Sequence, residues 1–136
     1  MKKIIHVKSL ITAVALTFAS FCLNAQPYDP GATDKEIKIG NTNPYSGAFS
    51  AYGSYGKAQA AYFKKINDEG GINGRKINFI SMDDGFAPPK TLENARKLVE
   101  QEKVLFFFAT LGTAPNTAIH KYMNQKKVPQ LFVQTG

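Results

Sequence analysis

Cysteine is nearly absent from this chain: Cys22 is the only one in 136 residues. A single thiol closes no internal disulfide and builds no thiolate metal site. If the segment that holds it is removed, no thiol nucleophile remains either. Long apolar runs are missing as well. The most apolar stretch, Leu10 to Phe21, is interrupted by Thr12, Thr17 and Ser20, and falls short of the about 20 residues that a membrane-spanning helix needs. There is no basic tract. The paired cations Lys64 and Lys65, Arg75 and Lys76, and Lys126 and Lys127 are scattered, which describes a solvated surface and excludes a nucleic-acid footprint. No internal repeat or low-complexity run is visible, and His120 stands on a helical segment without a histidine partner.

What is present begins with an export signature. Lys2, Lys3 and Lys8 form a basic lead, the interrupted apolar stretch follows, and Leu23-Asn24-Ala25 is a small-residue cleavage site before Gln26. Residues 1–25 read as a secretory signal peptide. A retained anchor is the rival reading, and the shortness of the apolar run opposes it. A lipoprotein reading, with Cys22 acylated, is opposed by Phe21, because the residue before an acylated cysteine is normally small. The formal net charge of +7 includes the three lysines of this segment, which has no acid. The 111 residues after Ala25 carry 14 basic and 10 acidic side chains, a net +4. That length suffices for one small domain with a core.

Residues 26–35 are rich in Pro, Gly and Asp and read as a loosely held, extended leader. Glu36 to Asn43, with Ile37 and Ile39, predicts a first strand that ends at Pro44. From Ala51 the period becomes helical. Tyr52, Tyr55, Ala58, Tyr62 and Ile66 recur at spacings of three and four, predicting a packed stripe, and Gly70 and Gly71 stop the helix. Lys76 to Met82 is a second strand with Asp83 and Asp84 at its carboxyl end. Neighbouring strand residues face opposite ways, so this pair suits turn and cap duty better than a metal or acid/base site. Pro88 and Pro89 open a second helix with Leu92, Ala95, Leu98 and Val99 on its apolar stripe. Val104 to Ala109, VLFFFA, predicts a central strand buried on both faces. A third helix presents Ala118, Ile119, Tyr122 and Met123 inward, with Lys126 and Lys127 at its carboxyl end. Gln130 to Val133 is a fourth strand. The alternation, with right-handed crossovers, predicts a three-layer α/β/α parallel sheet.

Two short patterns carry no chemistry. Gly53-Ser54-Tyr55-Gly56-Lys57 has the look of a phosphate-binding loop, but Ala51 replaces its first glycine and Ala58 its Ser/Thr. Ser54 and Lys57 also satisfy S-x-x-K, without the Lys-Thr-Gly or Ser-Asp-Asn partners of penicillin-recognising enzymes. No nucleophile, base and orienting acid converge, and no G-x-G-x-x-G follows the first strand. A periplasmic α/β enzyme is therefore the weaker alternative, and neither cofactor nor metal is expected.

The segments IKIGNTNPYSGAFSAYG, INDEGGINGRKI, DDGFAPPKT, ATLGTAPNTAI and VPQLFVQTG together span most of residues 36–136. In this combination the chain resembles the N-terminal part of a periplasmic substrate-binding protein of the branched-chain amino-acid (leucine/isoleucine/valine) transporter family, with the type I periplasmic-binding fold. The resemblance implies two α/β lobes that close on a small solute and present it to a membrane permease. Residues 36–136 would be a partial N-terminal lobe, cut before that lobe is complete. It further implies a periplasmic location and ligand contacts from three loops: Tyr45, Ser46 and Tyr52 after the first strand, Leu111, Gly112 and Thr113 after the third, and Thr135 and Gly136 at the start of the last. Thr113 falls at a hydroxyl position that family members use, with neighbouring main-chain N–H groups, to bind an α-carboxylate. A helix beginning near Ala114 would supply those groups and a positive dipole end; helix capping is the plainer role for Thr113. Gly112, Ala114 and Pro115 stand where the family's best-known branch often has small hydroxyl residues. An aromatic acid, an amide or another small carboxylate therefore stays open beside an amino acid. The ligand-binding module of a sensor shares the same fold and is the other alternative.

Overall fold

The computed structural model describes residues 28–135. The proposed signal peptide, Cys22 and Gly136 lie outside them. Four strands, β1 (Glu36–Asn43), β2 (Lys76–Asp83), β3 (Phe106–Phe108) and β4 (Gln130–Leu131), form one parallel sheet in the order β2-β1-β3-β4. Three helices connect them: α1 (Gly53–Asp68), entered through a tight turn at Ser50–Tyr52; α2 (Pro88–Arg96), which widens into a π turn at Lys97–Gln101; and α3 (Thr113–Lys126). None of the helices among the described residues is long and apolar enough to cross a membrane.

Register sorts the strand residues between two cores. Ile37 pairs with Ile77, and Ile39 with both Phe79 and Phe106. These side chains share one face of the sheet and meet Phe63 and Ile66 of α1. On the other face Phe107, fully buried, packs with Ala95 and Leu98 from the second helical segment and with Ile119 and Met123 of α3. The result is three layers, α1 on one side and α2 with α3 on the other, as the alternation of elements requires for a parallel sheet.

Four expectations need correction. The tyrosine stripe of α1 is not its core face: Tyr52, Tyr55 and Tyr62 are 49%, 48% and 61% exposed, while Gly53, Gly56 and Phe63 are buried. The glycines win because the ring of Tyr45 lies against them. A Cβ added at Gly56 would stand 2.8 Å from Tyr45 Cζ, so only glycine lets the helix sit this close. The VLFFFA run is central but not buried on both faces. Its strand is three residues long, and Phe106 and Phe108 are half-buried on the α1 face, where Phe108 meets the Phe63 ring edge-on at 5.5 Å. The fourth strand likewise shortens to two residues. The described part of the leader, residues 28–35, is folded, not extended. From Tyr28 onward it turns back, with Ala32 bridging Ile37 and the Tyr28 ring under the Arg75 guanidinium at 4.7 Å.

A polar feature went unanticipated. Asn41, Thr42 and Asn43, the carboxyl half of β1, are all fully buried. Asn41 Nδ2 donates to the carbonyls of Phe108 and Ala109 at 2.7 and 3.1 Å, and the Ser81 hydroxyl donates to Asn41 Oδ1 at 2.7 Å. Buried amides need such partners. Here the partners belong to β2 and β3, so one side chain ties three strand ends together just below the loops that follow them.

Candidate functional site

Every strand ends at the same edge of the sheet, where open parallel sheets form their crevices. Two adjacent carboxylates organise that edge. Asp83 accepts the N–H groups of Tyr45, Ser46 and Gly85 at 2.8, 3.1 and 3.0 Å, the Ser46 hydroxyl, and the Lys90 ammonium at 3.1 Å. The hydrogen bond from Ser46, with those from Lys90, Gly85 and Tyr45, holds its carboxyl far below the ordinary value of 3.8. Asp84, fully buried, accepts the Phe86 N–H and the Thr91 hydroxyl at 2.9 and 3.0 Å, and so secures the turn into α2. Burial raises its pKa. The two act in opposite senses. Stability from Asp83 is complete above its unfolded pKa and fades as pH falls, whereas that from Asp84 is complete in acid and fades as pH rises. Asp83→Asn should keep the acceptor for the backbone donors but lose the charge, lowering stability by about 1 kcal/mol at pH 7. The deficit should shrink as pH falls below 3.8, which urea midpoints at pH 7 and in acid would measure.

Between these loops opens a cleft of about 730 Å³. One wall is aromatic: Phe86, Phe49, Tyr52 and Tyr55 follow one another, with Phe49 and Phe86 stacked at 4.2 Å. The rest of the lining is Leu111 to Ala114 with Val133 to Thr135. These two segments are joined by the Gly112 N–H to Gln134 carbonyl bond at 2.8 Å and the Gln134 N–H to Thr110 carbonyl bond at 2.9 Å. Gly112 precedes α3 at φ 106°, and a Cβ there would stand 2.6 Å from Phe86 Cε2. Both the backbone conformation and the contact demand glycine. Asn116, buried, clamps the turn from beneath, donating to the carbonyls of Thr110 and Gly112 at 3.1 and 2.8 Å.

No side chain caps α3. Thr113 is its first residue and exposed, so capping is not its role. The N–H groups of Thr113 and Ala114 find no acceptor among the described residues, leaving a positive helix end facing the cleft. Of the residues the resemblance implied, Tyr52, Leu111, Gly112, Thr113 and Thr135 line the cleft together. Tyr45 and Ser46 do not. The Tyr45 hydroxyl bonds that of Ser81, its ring backs onto α1, and Ser46 is engaged by Asp83. Phe49, Tyr55, Phe86, Ala114, Val133 and Gln134 complete the lining and were missed. The signal for two of them was in the sequence: Phe49 and Phe86 are bulky apolar residues inside Gly-rich turns, where no core exists to claim them.

The periplasmic binding protein family matches residues 36–136, and the chain belongs to it. A Pseudomonas aeruginosa protein described as an amino acid binding protein is 34% identical over 91 residues, covering 62% of this chain and 24% of its own. Among solved structures, the branched-chain amino acid transporter substrate binding protein of Streptococcus pneumoniae, in complex with isoleucine, is 28% identical with a TM-score of 0.65, over 71% of this chain and 28% of its own. A solute binding protein of an ABC transporter from Rhodopseudomonas palustris, in complex with 3,4-dihydroxy benzoic acid, is 25% identical with a TM-score of 0.66, over 74% and 28%. The parallel sheet with flanking helices is that of a type I periplasmic-binding lobe. The chain spans about a quarter of the length of the relatives it matches.

Proposed function

We propose that this chain is the first part of an extracytoplasmic solute-binding component of an ABC uptake transporter. It would take a small carboxylate, an amino acid or a related acid, into the cleft, close a second lobe over it, and deliver it to a membrane permease without bond chemistry. The observation that carries the reading is the uncapped amino end of α3, with the Thr113 hydroxyl beside it, opening into the cleft. Main-chain N–H groups and a helix dipole stabilise an anion there without a basic side chain. Neighbours bound to isoleucine and to 3,4-dihydroxy benzoic acid both support a small carboxylate as ligand. In this reading residues 1–25 direct export to the periplasm, residues 26–35 lead into the domain, and residues 36–136 belong to the N-terminal lobe.

Calorimetric titration of the two-lobed protein with amino acids and small organic acids tests the binding role. Saturable binding of a carboxylate supports it, and a well-folded protein that binds none refutes it. Location has its own test. The intact mass of protein recovered from the periplasm should correspond to a chain beginning at Gln26, and a lipid-modified species beginning at Cys22 would refute the soluble form.

A further inference from the structure

Asn116 lies in the first turn of α3, and its side chain points back at the turn that precedes the helix. Its own main-chain N–H gives the Gly112 carbonyl the first bond of the helix at 3.0 Å, which any residue but proline would supply there. The side-chain amide adds what the main chain cannot. Nδ2 donates a second hydrogen bond to the Gly112 carbonyl at 2.8 Å and another to the Thr110 carbonyl at 3.1 Å. Oδ1 accepts the Thr110 hydroxyl and, at 3.3 Å, Gln130 Nε2 from β4. Asn116 is buried, so these bonds are shielded from competing water.

The Gly112 carbonyl belongs to the same peptide as the Thr113 N–H. A trans peptide is planar, with its C=O and N–H pointing in opposite directions. Holding that carbonyl into α3 therefore turns the Thr113 N–H out of the helix end, towards the cleft that Leu111, Gly112 and Thr113 line. Glycine by itself does not hold this plane. At φ 106° Gly112 stands in a region from which a residue without Cβ rotates its peptide at little steric cost. The second donor on its carbonyl opposes that rotation.

We propose that Asn116 is a positioning residue for solute binding: from beneath the turn it fixes the Gly112–Thr113 peptide, so that the Thr113 N–H is aimed at the carboxylate before the solute arrives. This rests on the reading of the amino end of α3 as a carboxylate site, and adds the buried side chain on which the aim of that end depends. Without the clamp the peptide has to be ordered as the solute binds, and that ordering is subtracted from the affinity.

The test compares Asn116→Ala, which removes the clamp, with Asn116→Ser, which is nearly the same size and returns one part of it. A serine hydroxyl on a helix reaches the carbonyl four residues back, here that of Gly112; Thr117 already makes this bond to the Thr113 carbonyl at 2.8 Å. Both variants lose the bonds to Thr110 and Gln130. Phe107→Leu, which loosens the core beneath α3, is the control for general destabilisation. The two-lobed protein is titrated calorimetrically with L-leucine, L-isoleucine and 3,4-dihydroxybenzoate, after thermal melts show that each variant is folded at the titration temperature. For whichever acid binds the parent, Asn116→Ala should weaken the dissociation constant by about tenfold, and Asn116→Ser should return it to within about threefold of the parent. Phe107→Leu should stay within about twofold of the parent. Parent-like affinity in Asn116→Ala overturns the positioning role, and equal losses in the alanine and serine variants overturn its action through the Gly112 carbonyl. A loss in Phe107→Leu as large as that in Asn116→Ala overturns it too, reducing the effect to loosening of the lobe. One readout needs no variant: the Thr113 amide proton of the parent should shift downfield in its NMR spectrum when the acid binds, and an unmoved resonance overturns the proposal. A folded parent that binds none of the three acids overturns the carboxylate reading, and the proposal with it.

Discussion

Phe107→Ala is expected to destabilise the lobe by about 3–5 kcal/mol, a large share of the stability of a domain whose whole stability is of the order of 5–15 kcal/mol. Phe107 is the largest of the fully buried side chains, and it touches all three elements of its core. Leu98 reaches it from the second helical segment, Ile119 and Met123 reach it from α3, and its own strand lies between β1 and β4. Removing the ring leaves a void that these neighbours are too constrained to fill, since they are anchored in two separate helical segments. Phe107→Leu keeps most of the volume and should cost under about 1.5 kcal/mol. Urea unfolding followed by circular dichroism compares the two. A Phe107→Ala midpoint close to the parent's would mean that the core on the α2 and α3 side collapses freely, contrary to the packing described.

The second large effect concerns binding. Thr113→Val keeps the shape of the side chain but removes the hydroxyl, leaving an anionic ligand one hydrogen bond short. A hydrogen bond to a charged group is worth about 1.5–3 kcal/mol, or roughly a ten- to hundredfold weaker dissociation constant. Thr113→Ser should be nearly silent. Because Thr113 is exposed, caps nothing and makes no core contact, neither change should move the melting temperature appreciably. Titration of the two-lobed protein with its tightest-binding acid provides the measurement, and an unchanged affinity in Thr113→Val would remove that loop from the site. Asp84→Asn should show the reverse pattern, with stability altered more than affinity, since Asp84 is sealed beneath the turn into α2.

Much of the architecture is legible without coordinates, because the signals are local. Alternating Ile37, Ile39, Ile77 and Phe79, prolines at the first turn of α2, and glycines after α1 each act within a few residues. They placed β1, β2 and the starts of the helices closely. Errors arose where a distant partner decides. The three- and four-residue spacing of Tyr52, Tyr55 and Tyr62 is a valid helical stripe, but which stripe faces the sheet depends on Tyr45 pressing against Gly53 and Gly56. Nothing in the periodicity of α1 reports that contact. The apolar run at Val104 to Ala109 likewise carries no information on how far α1 extends over β3.

The site divides the same way. Sequence alone determined the alternation of strands and helices and the parallel layering that places all loops at one edge, since these follow from residue spacing and backbone chemistry; the loop around Thr113 was implied by the family resemblance and not by spacing. Only the tertiary structure decided that Tyr45 and Ser46 turn away while Phe49, Tyr55 and Phe86 turn in. The reason is that a side chain's direction in a loop is set by its partners across space. Asp83 captures Ser46, Ser81 captures Tyr45, and Gly112 leaves room for the ring of Phe86 beside the helix end.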